Sequence, residues 1–402
     1  MMAPTRDHLL ARGPLATRAN AFLGKAWQRG WLPPPALDPD ALWALAAKPY
    51  GTRAEAVEHG GRSDEDVADF RERLTRLIAA AAQEADLNAL GRAMAWGQLS
   101  RVVKNRLAFG AFWLERPELL ETPLAPPMIV IGHMRSGTTR IHTLLAADPA
   151  FSHTRYCDAY HPVPARLGMN RVKAALELAM LGALNPWMQS IHPMAASGVE
   201  EELAWLSAAL HHSIYESQWH IPAYSAWSEA RDPAPIYREF ARILRTDAAI
   251  RSVADKPRVL KVPAFAEDLT TLLSLFPDAR LVIAHRAHDA VLRSAISLAA
   301  NQMAIQSDSC DLAKIEARWR HKIALREARM AEALADWQGP VARLTFEDLN
   351  ADWEGAIARC YADLGITLSG PALLGMHNVM AASESGHHHA HAAQLARFAE
   401  AG

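Results

Sequence analysis

A glycine-bounded loop between an apolar strand and a helix is the stretch of this chain best suited to binding a phosphate group. Residues 128–131 (Met-Ile-Val-Ile) predict a short buried strand, and apolar residues at 141, 144 and 145 predict a helix beginning near Thr139. Between them, Gly132 and Gly137 enclose four residues. The backbone N–H groups of such a loop and the positive end of the helix dipole point at a bound anion. The stretch therefore predicts a phosphate site.

The residues inside the loop distinguish it from the loop of ATP- and GTP-binding proteins. In that loop a lysine follows the second glycine and reaches the β- and γ-phosphates, and the next hydroxyl holds Mg²⁺. Here Thr138 follows the second glycine, and the cation is Arg135, inside the loop. The loop is poorly suited to a triphosphate with its metal ion, but it can hold a smaller anion with Arg135 at the transferred group. The alternative is an ordinary turn between a strand and a helix.

The segment G-x-x-R-S-G-T-T at residues 132–139 resembles the 5′-phosphosulfate loop of sulfotransferases, in particular the group with Arg in the loop that includes relatives of the tyrosylprotein sulfotransferases. The resemblance implies a P-loop-like α/β fold, in which a mostly parallel sheet is flanked by helices. It also implies that the donor is 3′-phosphoadenosine 5′-phosphosulfate. The loop residues implied to bind this donor are Arg135, Ser136, Gly137, Thr138 and Thr139.

Two later segments resemble the same family at its other donor contacts. The segment 258–263 (Arg-Val-Leu-Lys-Val-Pro) predicts a strand ending near Lys261, at the edge where α/β sheets bind ligands. Residues 280–285 predict another strand, which Arg286 follows, and Ser294 lies eight residues later. In the family an Arg and a Ser at this spacing bind the 3′-phosphate, and a guanidinium with a hydroxyl suits that role. The alternatives are surface cations and an incidental serine.

The acceptor hydroxyl must lose a proton, so carboxylates and imidazoles are candidate bases. Asp158 lies where the family has a Glu shortly after the phosphate loop, and the resemblance makes it the first-choice base. His192 and Glu201 resemble a His-Pro…Glu-Glu pattern of the family and are the next candidates. The alternatives are a turn-capping role for Asp158 and, for residues 200–202, the solvated first turn of a helix, where acids suit the helix dipole.

The chain is predicted to divide into a helical N-terminal region and an α/β domain. Residues 1–120 read as helices packed on the core, without a catalytic constellation. Residues 121–402 are predicted to form the sulfotransferase-like domain, with a helical insertion at about 165–250 that contains the acceptor site. Four aromatic residues there are expected to be mostly core, with one or two lining an acceptor pocket: Trp205, Trp219, Tyr224 and Trp227.

Composition limits the partners and the compartment. The 402 residues carry a formal net charge of −2, which argues against general nucleic-acid or membrane-surface binding. The three cysteines are far apart and form no disulfide or zinc pattern, so a reducing, cytoplasmic location is expected. Neither a signal peptide nor a run of eighteen apolar residues is found, so no transmembrane helix is predicted. For the histidine-rich segment 386–391, donor contact, metal binding and an exposed tail all remain open.

These features predict an enzyme that transfers a sulfuryl group by in-line displacement to an acceptor hydroxyl, in preference to an amine, and that requires no metal ion. Arg135 and Lys261 are expected to stabilise the transferred group and the leaving phosphate. The sequence leaves open the oligomeric state and the acceptor, which is expected to be a small molecule, a glycan or a lipid. Two other classes remain: an ATP- and Mg²⁺-dependent kinase, and a non-catalytic nucleotide-binding protein.

Overall fold

The computed structural model describes residues 6–134, 136–164 and 168–383. Its central sheet has five strands: β1 (Met128–Ile131), β2 (Ser152–His153), β3 (Arg258–Lys261), β4 (Arg280–His285) and β5 (Val341–Thr345). All pairings are parallel, and the strand order is β2-β3-β1-β4-β5. The predicted α/β fold, a parallel sheet flanked by helices, is confirmed.

Nineteen α-helices lie in the described ranges. Five precede the sheet: α1 (Pro14–Gln28), α2 (Pro39–Ala47), α3 (Ala54–Glu58), α4 (Asp64–Gln83) and α5 (Ala89–Glu115). Eight lie between β1 and β3: α6 (Thr138–Ala146), α7 (Tyr156–Tyr160), α8 (Met169–Leu184), α9 (Met188–Ile191), α10 (Leu203–Ser207), α11 (His212–Glu216), α12 (Pro222–Glu229) and α13 (Ala234–Ile250). Six follow β3: α14 (Leu269–Leu275), α15 (His288–Gln306), α16 (Leu312–Ala335), α17 (Phe346–Ala351), α18 (Trp353–Asp363) and α19 (Gly370–Ser383). None of these helices is both long and apolar enough to cross a bilayer.

Strand β1 is the centre of the core. All four of its residues are buried, and β3 and β4 pair with it on opposite sides. Ile129 and Ile131 face one apolar cluster, whereas Met128 and Val130 face the other. A strand buried on both faces of a parallel sheet needs an uninterrupted apolar run, and this is why 128–131 has no alternation of polar residues.

The N-terminal helices share a core with part of the segment between β2 and β3. Leu77 of α4 and Leu99 of α5 belong to the same apolar cluster as Tyr215 and Trp219, which lie in and just after α11. A buried ion pair reinforces this contact: the Arg62 guanidinium donates to both carboxylate oxygens of Glu239 in α13, at 2.8 and 2.6 Å. A bidentate arginine–carboxylate pair fixes geometry as well as charge.

The four aromatic residues considered for an acceptor pocket are mostly core. Trp205, Trp219 and Tyr224 are each at most 1% exposed. Trp227 instead packs against three arginine side chains, those of Arg73, Arg76 and Arg231. The first three rings therefore stabilise the fold.

A buried ammonium group holds α16 against α11, α12 and the turn after β3. Lys322 is fully buried, and its Nζ lies 3.0 Å from Glu216, 2.6 Å from Glu229 and 2.8 Å from Glu267. Arg326, one turn further along α16, donates to Glu267 at 2.8 Å. Carboxylates buried this closely together are tolerated only if cations compensate their charge.

Replacing Lys322 with alanine is expected to lower the free energy of unfolding by about 3–5 kcal/mol, because the change leaves buried carboxylates without their cation. Urea unfolding followed by circular dichroism measures the loss. Lys314→Ala is the matched control on the same helix, since Lys314 is exposed. A loss below about 1 kcal/mol for Lys322→Ala would contradict the assigned role of the ammonium group.

Candidate functional site

The loop after β1 has the backbone geometry of an anion cradle. A Cβ atom on Gly132 would lie 2.7 Å from the Ala284 carbonyl oxygen, so only glycine fits there. Gly137 has φ +91°, a left-handed conformation that favours glycine, and it precedes the first residue of α6. The Ser136 hydroxyl donates to the His133 carbonyl oxygen at 2.6 Å and closes the loop on itself. Arg135 lies outside the described residues.

The loop leads directly into the N-terminus of α6. Thr138 is buried and Thr139 is exposed. No side chain among the described residues caps this end of the helix. The first N–H groups of a helix have no partner within it, and they favour a negative charge. The end of α6 can therefore receive an anion held in the loop.

Lys261, the last residue of β3, connects this loop to the acidic run, the three consecutive glutamates at residues 200–202. Its side chain is buried, and its ammonium group donates to the Thr139 hydroxyl at 3.2 Å and to the Glu201 carboxylate. Its backbone N–H donates to the Glu202 carboxylate at 2.9 Å. Two consecutive glutamates therefore hold the side chain and the main chain of one lysine.

Residues 200–202 are not a solvated helix turn. Glu200 and Glu202 are buried, and the Glu201 side chain is only 14% exposed. Glu200 accepts from His192, with 3.4 Å between the imidazole Nε2 and the carboxylate. Burial opposes the charged imidazole, but the hydrogen bond and charge of Glu200, with the charge of Glu201, prevail and raise the pKa of His192. The structure thus brings His192, Glu201 and Lys261 into one cluster.

Asp158 is engaged elsewhere. Arg155 donates to both of its carboxylate oxygens, at 2.6 and 3.0 Å, and Arg251 lies 3.4 Å from one of them. Its backbone carbonyl accepts from the Trp205 indole at 3.1 Å. The carboxylate therefore holds the start of α7 beside the end of α13, the backbone carbonyl joins α7 to α10, and both carboxylate oxygens already have charged partners.

The segment predicted to bind the 3′-phosphate also lies at the edge of the sheet where the parallel strands end. Arg286 follows β4, and its guanidinium stacks on the Phe346 ring, 3.9 Å from the centroid. Phe346 also meets the loop, because a Cβ atom on Gly137 would lie 3.3 Å from its ring. Ser294 on α15 is 4% exposed, and its hydroxyl has no hydrogen-bond partner among the described residues. A buried hydroxyl without a partner is costly unless a ligand satisfies it.

Sequence reasoning missed two residues at this site. Phe346 lies directly after β5, beside β4, and this position at a strand end is the signal that could have identified it. Glu202 was passed over in favour of Glu201, and nothing in the sequence separates the two. Burial raises the pKa of Glu202 to about 7 despite the N–H donor of Lys261 and the nearby charge of Arg258.

Another titrating group lies in the loop itself. Burial and the nearby charge of Arg326 lower the pKa of His133 to about 4. The imidazole is therefore neutral near pH 7, and it lies 3.4 Å from the Glu327 carboxylate.

Comparisons with known proteins address the family and the fold. A family model described as "Sulfotransferase family" matches residues 126–370. The structure is similar to that of sulfotransferase STF1 from Mycobacterium tuberculosis H37Rv, with a TM-score of 0.74 and 30% identity over 84% of this chain and 92% of that chain. It is also similar in fold to sulfotransferase STF9 from Mycobacterium avium, with a TM-score of 0.74 and 22% identity over 85% of this chain and 87% of that chain. No curated protein sequence matches the chain.

The buried Glu202 carboxyl gives a testable pH dependence. Its pKa in the folded protein, about 7, lies above its ordinary value of 4.5, so between these pH values the folded state holds a proton that the unfolded state has lost. Stability from this group is therefore present below about pH 4.5 and is lost as the pH rises to 7.

Glu202→Gln removes this titration and keeps an oxygen for the Lys261 N–H. The free energy of unfolding of the variant relative to the unsubstituted protein is expected to rise by up to about 1.4 kcal/mol per pH unit between pH 5 and 7. Urea unfolding at pH 5, 6 and 7 measures it, with the exposed Glu115→Gln as control. A difference independent of pH would show that Glu202 titrates normally.

Proposed function

Because this chain belongs to the sulfotransferase family and is an enzyme, we propose that it transfers a sulfuryl group from 3′-phosphoadenosine 5′-phosphosulfate to an acceptor hydroxyl. The observation that carries the proposal is that the three segments predicted to contact the donor lie along one edge of the sheet. The glycine loop follows β1, Lys261 ends β3 and Arg286 follows β4, and these three strands are neighbours in the sheet. Parallel α/β sheets bind ligands at this edge.

The described residues fit such a donor at both of its phosphate ends. The cradle of Gly132 and Gly137, with the free end of α6, suits the 5′-phosphosulfate. The Ser294 hydroxyl, buried and without a partner among the described residues, suits the 3′-phosphate together with Arg286. ATP has no 3′-phosphate, so this second contact supports the proposed donor over ATP.

The proposed chemistry is an in-line displacement at sulfur. An acceptor oxygen forms a bond to sulfur while the bond from sulfur to the bridging phosphate oxygen breaks, and the acceptor proton passes to a base. The Lys261 ammonium and the N–H groups of the loop stabilise the negative charge on the leaving phosphate. Arg135, placed by the sequence inside the loop, is assigned to the transferred group. None of these roles requires a metal ion.

Glu201 is the carboxylate that the contacts favour as the base. It lies one hydrogen bond from Lys261, which is itself one hydrogen bond from Thr139 at the loop. Asp158, the first choice from sequence, accepts from Arg155 at both of its oxygens, whereas Lys261 contacts Glu201 at Oε1, so Glu201 keeps its second oxygen for the acceptor proton. His192 is assigned to orienting the acceptor beside Glu201.

Adenosine 3′,5′-bisphosphate is expected to raise the melting temperature of the protein, whereas ATP with Mg²⁺ has little effect. A ligand that binds only the folded state adds about 2.7 kcal/mol at a hundred times its dissociation constant. Arg286→Ala and Ser294→Ala should each reduce the shift. Arg359→Ala, which removes an exposed arginine on α18, is the matched control. A larger shift with ATP and Mg²⁺ would favour a kinase.

Glu201→Gln is expected to lower kcat by about 10²–10⁴-fold, the usual contribution of a general base, and to leave bisphosphate binding intact. The assay uses the best acceptor from a panel of phenols, sterols, sugars and lipids. Asp158→Asn should lower the melting temperature, because it breaks the pairs with Arg155 and Arg251. It should change kcat little. The opposite pattern would identify Asp158 as the base.

A further inference from the structure

Three groups of histidine and acidic side chains in the described ranges have the spacing of metal ligands. Two of them contain His212, and both are already occupied by a cation of the protein. The Lys322 ammonium lies 2.7 Å from His212 Nε2, and it contacts the carboxylates that complete these groups. A metal ion would have to displace this buried charge. The remaining group consists of His133, His288 and Glu327.

We propose that His133, His288 and Glu327 form a site for one divalent transition-metal ion of the Zn²⁺ class. The three ligand atoms lie within 4.8 Å of one another. His133 Nε2 is 3.4 Å from Glu327 Oε1, and His288 Nε2 contacts the same oxygen. Ligands about 2.0–2.1 Å from a tetrahedral ion are themselves roughly 3.3 Å apart, so small side-chain shifts complete the geometry.

Both the chemistry and the access suit a metal ion. Two imidazoles and one carboxylate form the ligand set of many zinc sites, with further positions open to water. The two rings are perpendicular, with centroids 6.1 Å apart. No lysine or arginine within 6–134, 136–164 and 168–383 pairs with Glu327, unlike the carboxylates around Lys322. The His288 side chain is 60% exposed, so an ion can enter from solvent.

The position gives the site a consequence for the neighbouring loop. His133 lies in the loop after β1, His288 is the first residue of the helix that carries Ser294, and Glu327 belongs to α16. A bound ion would add a link between these three elements, which also pack together through the apolar cluster that contains Met134, Val291 and Ile323. Metal binding is therefore expected to raise the melting temperature.

Co²⁺ binding followed by visible absorption tests the proposal, because the ion reports nitrogen and oxygen ligands in a low-symmetry site. The histidine-rich tract would bind cobalt independently, so the background is the full chain with His387, His388, His389 and His391 replaced by alanine. His288→Ala and Glu327→Gln are made in this background. The matched control is His377→Ala, since His377 faces Glu354 at 3.4 Å and belongs to none of the three metal-ligand groups found among the described residues.

We expect the background protein to bind one equivalent of Co²⁺, which Zn²⁺ displaces, with a rise in melting temperature. His288→Ala and Glu327→Gln should each weaken binding more than tenfold, whereas His377→Ala should leave it unchanged. Absence of a stoichiometric Co²⁺ spectrum in the background protein would overturn the proposal. Equal affinity in the background protein and His288→Ala would overturn it as well.

Discussion

The parallel pairing of β1 with a neighbour on each side is the constraint on which the site depends. Val130 is in register with Lys261 of β3, and Ile131 with Ile283 of β4. Parallel strands leave the sheet at the same edge, so this register places the glycine loop between Lys261 and Arg286. The pairing holds only because β1 is apolar on both faces and buries each against a separate core. Segments more than a hundred residues apart in sequence thus form one surface.

Compensation of buried charge fixes residues 200–202 against this edge. An ammonium group as buried as that of Lys261 is stable only with a partner, and Glu201 supplies one. Glu202 accepts the Lys261 N–H and occupies the N-terminus of α10, so the acidic run positions that helix as well as the lysine. The same contacts that stabilise the fold therefore bring a carboxylate to the anion loop.

Helix α16 contacts both the turn that follows β3 and the histidines beside the glycine loop. Lys322 and Arg326 compensate Glu267, which lies directly after the turn that follows β3. Glu327, which follows Arg326 on α16, contacts the two imidazoles of His133 and His288 beside the loop. One helix therefore supports the strand that ends in Lys261 and also reaches the loop. A change in its position would move both, which is why its buried cations matter beyond stability.

The sequence by itself determined the fold class, the glycine loop and the strands with strong local patterns. The apolar run, glycine spacing and helix period depend on neighbouring residues, so they can be read directly, and the strands they predict are confirmed near 128–131, 258–261 and 280–285. β2 has only two residues and no periodicity, and it was missed. Only the tertiary structure decided which carboxylates are engaged: Asp158 with arginines, Glu201 with Lys261, and Glu202 buried at a main-chain N–H. These differences depend on groups that folding brings together from distant segments. The residues next to a carboxylate in the sequence do not indicate which distant group it will contact.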